Sequence, residues 1–107
     1  MNVFHHNLAA GRWVTFSFCE QLGNVGAEAM RVVSLGRQGR YDLRDNAAYR
    51  MLELIDLTLE DARWRGRMKE LCRLREVVCD WVWGDNKYGF DAEKYFLPFA
   101  LAARKDK

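Results

Sequence analysis

Four acidic residues, Glu53, Asp56, Glu76 and Asp80, are the side chains of this chain best spaced for catalysis. Glu53-x-x-Asp56 and Glu76-x-x-x-Asp80 each place two carboxylates on one side of a helix, and four converging acids could hold Mg²⁺ against a phosphate. Mg²⁺-dependent hydrolysis of a nucleotide is therefore one alternative for the function. The same acids are equally suited to ion pairs with arginines of a neighbouring helix, and that solvated arrangement is the commoner use of such residues.

Basic residues offer a second chemistry. Arg65, Lys69 and Arg73 recur every fourth residue and form one stripe along a helix. Arg37 and Arg40, with Arg31 and Arg44, could extend the stripe into a phosphate-binding surface on which Trp64 or Tyr41 stacks against bases. Twelve of the 17 basic residues are arginine, the better bidentate partner of phosphate and carboxylate alike. This is the nucleic-acid-binding alternative. A net charge of +2 does not by itself select it, and the acids Glu70 and Glu76 interrupt the adjoining rows.

Other catalytic sets are poorly served. The two histidines, His5 and His6, stand together near the start of the chain, so neither a Glu-x-x-His di-iron pair nor a histidine-activated cysteine can be assembled on the helices. Cys19, Cys72 and Cys79 form no CxxC and sit in apolar periodic segments, which predicts reduced, buried thiols. No cofactor is expected.

A third feature is structural in its chemistry. The segment EQLGNVGAEAMR has helical spacing, yet Gly23 and Gly26 each cost about 1 kcal/mol relative to alanine in a helix interior. With Ala27 and Met30 they make a smooth patch that lets a backbone or a large ring approach closely. The rings of Trp13, Trp64, Trp81 and Trp83 are available for intramolecular packing; the alternative occupant is a partner protein or a second copy of the chain.

The elements that must position these groups are helical. The chain has 107 residues, half of them hydrophobic and 13% aromatic, enough for one domain with a real core. Residues 1–11 lack a clean period and read as a flexible arm, leaving 12–107 as the bundle. From Trp13 to Leu35 two apolar rows run side by side, Cys19-Leu22-Gly26-Ala29-Val33 and Phe18-Leu22-Val25-Ala29-Val32. A second helix is expected from Asp45 as N-cap through Ala48, Leu52, Ile55, Leu59 and Ala62, finishing at Arg63 and Arg65 with a turn at Gly66. A third carries Met68, Leu71, Leu74, Val78, Trp81 and Val82 and stops at Gly84-Asp-Asn86. The fourth opens at Asp91 and holds Tyr95, Phe96, Phe99, Ala100 and Ala103, with Pro98 expected to kink it or to start a separate short helix. The expected fold is an all-α, single-domain antiparallel four-helix bundle with loops at 36–44, 64–67 and 84–91. No stretch reaches the roughly 18–20 apolar residues of a membrane span, and no leader-like segment precedes the domain, so a cytoplasmic location is expected.

The segments EQLGNVGAEAMR, RMLELIDLTL, RMKELCRLREVVCDW and DNKYG, in that order over residues 13–104, resemble a group of small uncharacterised bacterial proteins. That resemblance implies a helical bacterial protein and no particular chemistry. In size and arrangement the chain is also similar, more loosely, to four-helix-bundle accessory proteins of mobile elements and retroelements. The paired acids resemble loosely the E-x-x-E and E-x-x-D motifs of all-α nucleotide pyrophosphatases, from which the second pair departs by one residue. Taken together, the sequence predicts a non-enzymatic adaptor or accessory subunit that acts through protein contacts and self-association.

Overall fold

Ser17-Phe-Cys-Glu20 is a capping box, and in the computed structural model, which describes residues 11–105, it starts the first long helix. The Ser17 hydroxyl oxygen accepts from the Glu20 amide at 3.1 Å, while the Ser17 amide donates to Glu20 Oε1 at 3.0 Å. Two amides that would have no helical acceptor are thereby satisfied. Helix α1 spans Phe18–Arg37 and so begins later than the expected Trp13. Trp13 belongs instead to a 3₁₀ turn, Arg12–Thr15, which folds back so that its indole is buried. Nearly all of the expected arm, residues 1–10, lies outside the described residues, His5 and His6 with it.

Gly39, with φ +71°, ends α1: this left-handed turn lets the Arg40 amide reach the Leu35 carbonyl at 3.0 Å. Helix α2 (Tyr41–Glu60) follows at once. Asp45 is therefore no N-cap but an interior helical residue, whose carboxylate accepts from Arg44 and from the Trp83 indole. Nor do Arg63 and Arg65 finish α2. The Asp61 side chain accepts from the Arg63 amide and redirects the chain into a 3₁₀ segment, Ala62–Arg67, which leads into α3 (Met68–Trp83). Helix α4 (Ala92–Lys105) opens where expected, with Asp91 Oδ1 accepting from the Lys94 amide at 3.1 Å.

α1 packs against both α2 and α4, and α2 packs against α3. The result is the all-α, single-domain antiparallel four-helix bundle, with no strand among the described residues. Of the two apolar rows on α1, Phe18-Leu22-Val25-Ala29-Val32 is buried throughout, whereas the other ends on half-buried Cys19 and Val33. On α2 the buried row is Ala47-Met51-Leu54-Thr58, joined by Ala48 and Ile55, so Leu52 and Leu59 are only half buried and Ala62 is exposed. The cysteine expectation also needs correction. Cys72 is exposed, and Cys19 and Cys79 are half buried; all three are free thiols.

A belt of edge-to-face and tilted rings fastens α4 to the rest. It runs from Trp81 to Phe90 (5.4 Å between centroids), to Phe96 (6.2 Å) and Tyr95 (5.6 Å), on to Phe99, and from there through Phe18 to Trp64. Each such pair adds about 0.5–1.5 kcal/mol beyond the area it buries. The anchoring explains why α4 runs unbroken past Pro98, which removes an N–H that the Lys94 carbonyl would otherwise accept and costs a free helix about 3 kcal/mol.

Candidate interaction surfaces

The glycine patch of α1 meets α4. A Cβ at Gly26 would stand 2.6 Å from Phe96 Cβ and 3.0 Å from its ring, closer than carbon atoms approach, so only glycine admits Phe96 here. Gly23 is looser: its hypothetical Cβ would lie 3.7 Å from Ala100 Cα, an ordinary contact. Of the four residues assigned to the patch, Gly26 is buried, Gly23 and Met30 are half buried, and Ala27 is exposed. The patch is thus only partly covered by α4. A groove remains along the α1–α4 seam, with a volume of about 370 Å³, bounded on α1 by Gly23, Ala27 and Met30 and on α4 by Glu93, Leu97, Ala100 and Arg104. Leu97 is 52% and Leu101 47% exposed, one turn apart on α4.

On another side of α1, near its N-terminal end, the first 3₁₀ turn and the α2–α3 junction are tied together by a buried polar cluster. Gln21 Nε2 donates to the Trp13 carbonyl (2.9 Å) and to Asp61 Oδ2 (3.0 Å), and Gln21 Oε1 accepts from the Trp64 indole (2.9 Å). Trp13 Nε1 donates to Thr58 Oγ1, whose hydroxyl donates to the Leu54 carbonyl. Asp61 accepts the Arg63 guanidinium on both oxygens, and that guanidinium also donates to the Phe16 carbonyl at 2.7 Å. The Arg63 hydrogen bonds, with help from Gln21, hold the Asp61 carboxyl down to about 2 from an ordinary 3.8, against the opposing pull of burial. Among the described residues no buried side-chain polar atom lacks a partner. Each polar atom of the cluster is thus engaged inside the protein, and its role is to fix the junction.

Arg65, Lys69 and Arg73 are all exposed, but they do not share one helix: Lys69 and Arg73 stand one turn apart on α3, whereas Arg65 belongs to the 3₁₀ segment before it. Arg73 lies over the Tyr88 ring at 4.4 Å and reaches Glu76 at 3.8 Å. No ion pair of Arg65 or Lys69 forms among the described residues; it is Arg75, on another side of the helix, that crosses to Asp56 of α2 at 2.8 Å. Arg37 and Arg40 do not join the stripe. Arg37 closes the C-terminal end of α1, whereas Trp64 packs on Gln21 near its N-terminal end, and a helix of 20 residues is about 30 Å long.

The four candidate carboxylates are likewise kept apart by separate tasks. Asp56 pairs with Arg75, Glu76 accepts from the Tyr88 hydroxyl, and Asp80 accepts from the Lys87 amide to hold the 84–91 turn. Glu53, half buried on α2, is also engaged. Among the described residues no three His, Cys, Asp or Glu side chains are gathered as a metal site would require. The convergence on which the nucleotide-hydrolase alternative rested does not occur.

Sequence reasoning missed the clasp. Nothing in the local pattern of the sequence singles out Asp61, one acid beside Glu60, or Gln21, one polar residue beside Leu22. The available signal was position: Gln21 adjoins Leu22 inside the buried row, and Thr58 completes the true α2 row, so both polar side chains fall where apolar ones are expected. Comparison with family models, curated proteins and solved structures found no match to this chain. Among the described residues no helix is long and apolar enough to cross a membrane.

Proposed function

We propose that this chain is a non-enzymatic adaptor or accessory subunit that acts through protein–protein contacts, its own self-association among them. The observation that carries this reading is the α1–α4 groove: Leu97 in it and Leu101 on the same helix are left outside a bundle whose buried polar side chains are all paired, and a protein surface that covers them accounts for this best. Catalysis is the weaker account, because the candidate acids are spent on separate ion pairs and turns.

A second reading is favoured by one specific observation. Arg65 and Lys69 point to solvent without an ion pair among the described residues, and Arg73 is presented on an aromatic ring. That is a surface suited to a nucleic-acid backbone. Light-scattering mass on a sizing column, at low and high salt with the absorbance ratio recorded, separates the two. An oligomer free of nucleic acid at both salts supports the adaptor. Nucleic acid that co-elutes with monomer at low salt and is stripped at high salt overturns it in favour of the stripe.

A further inference from the structure

The α4 edge of the groove has an order that follows from four positions. Five residues of α4 line the seam; Phe96 is buried inward on Gly26, and the other four, Glu93, Leu97, Ala100 and Arg104, read acid, large, small, base along the helix. Rotating α4 by 180° about an axis through the Pro98–Phe99 peptide maps this list onto itself. Residue 93 falls on 104, and 97 on 100. Two antiparallel copies of α4 therefore set each Glu93 against an Arg104 and each Leu97 against an Ala100. Large meets small and acid meets base at both ends of the same contact.

The α1 side of the groove deepens the fit. Behind Ala100 lies Gly23, with room for ordinary contact and no side chain of its own, and Ala27 is exposed beside it. A leucine arriving over Ala100 thus enters a hollow floored by small residues. Leu101 flanks the row and extends the apolar strip.

We infer that the α1–α4 groove is occupied by α4 of a second copy of this chain, in a two-fold antiparallel dimer joined by Leu97 on Ala100 and bounded by Glu93–Arg104 pairs. This inference rests on the self-association reading above and names its surface and symmetry. An interface of this kind is isologous: the same patch serves both subunits, and each of its contacts occurs twice. The charge pairs lie at the rim, where they set register and orientation, while the leucines supply the buried apolar area.

The experiment uses the whole chain. Sedimentation velocity from about 1 to 100 µM is run on wild type, Glu93→Arg, Arg104→Glu, the combined swap and Leu97→Asp, with circular dichroism to verify that each remains folded. The expected result is a wild-type dimer that each single reversal weakens by about tenfold or more, since two rim pairs become repulsive together. The combined swap should recover dimerisation to within about threefold, because acid and base merely exchange ends. Leu97→Asp should be monomeric and folded. A dimer indifferent to all four changes, or a swap that fails to recover, overturns this geometry and leaves self-association through another face standing. A wild-type monomer over the whole range overturns both, and points to a different protein as the occupant of the groove.

Discussion

Arg63 lies over Trp64 at 4.5 Å and Arg73 over Tyr88 at 4.4 Å, and each guanidinium also reaches a carboxylate, Asp61 in one case and Glu76 in the other. In composition the two assemblies are nearly the same. Their surroundings differ: the Asp61 side chain is 3% exposed and shared with Gln21, whereas that of Glu76 is 59% exposed and its arginine stands 3.8 Å away. Burial and a third partner turn the first into a clasp between α1 and the α2–α3 junction. The second is a solvated pair whose geometry water and salt weaken. The interior built around α1 should therefore resist change, and the outer face of α3 should tolerate it.

The strongest test of the interior is Gly26→Leu. The side chain has no space against Phe96, so α4 must lift from α1, with loss of about 3 kcal/mol, the upper end of what overpacking costs, and of the groove along with it. Thermal melting by circular dichroism should show a large fall or no cooperative transition. A wild-type melting temperature would mean that Phe96 does not sit on this glycine.

Next in size is Gln21→Leu, which keeps the volume and removes the amide. The Trp64 indole, the Trp13 carbonyl and one oxygen of Asp61 each lose a partner, and the loss should be about 2–3 kcal/mol in urea unfolding. The matched removal on the outer face, Tyr88→Phe, takes only a hydrogen bond to exposed Glu76 and should change stability by less than about 0.5 kcal/mol. Equal losses at the two sites would erase the distinction drawn between them.

Acid provides a graded form of the same test. The folded state holds Asp61 near 2, below its ordinary 3.8, so the ionised carboxylate stabilises the fold. That contribution is complete above the ordinary value and is lost as the pH falls through about 2. Because its Arg63 partner is 42% exposed, the contribution is discounted to about 1–2 kcal/mol. Urea midpoints measured at pH steps across that window should fall in wild type, and fall less in Asp61→Asn, which has lost the contribution already.

Much of this architecture could be read from the sequence, and the failures share a cause. The four helices, the stop at Gly84, the cap at Asp91 and the close approach at Gly26 all rest on local patterns: apolar period, turn residues and a missing side chain. What escaped was non-local. Asp45 looked like a cap because acids suit helix starts, but Gly39 had already turned the chain and α2 began at Tyr41. Asp61 became a buried ligand of Gln21 across 40 positions of sequence, a contact no periodicity announces. The groove was half legible: the small residues of α1 marked one edge, while the exposed leucines of α4 acquired meaning only once the seam was seen.

The smallest expected effect falls on the outer face, at Arg73→Glu. The substitution removes a long ion pair whose two side chains are more than half exposed and a stacking contact on exposed Tyr88, so the change in stability should stay within about 0.5 kcal/mol, near the resolution of a melting curve. Its value lies in what else it removes. Arg73 is the end of the Arg65, Lys69, Arg73 row, and reversing it places an acid beside Glu70 and Glu76 on α3. If the row holds a nucleic-acid backbone, binding to a single-stranded oligonucleotide should weaken uniformly across sequences, and the slope of log affinity against log salt should flatten by about one unit. If the row is only a solvated face, stability and the null binding signal should both be unchanged. A large loss of stability would contradict both outcomes, since it would mean that Arg73 is held as Arg63 is, by a network that this exposed surface does not possess.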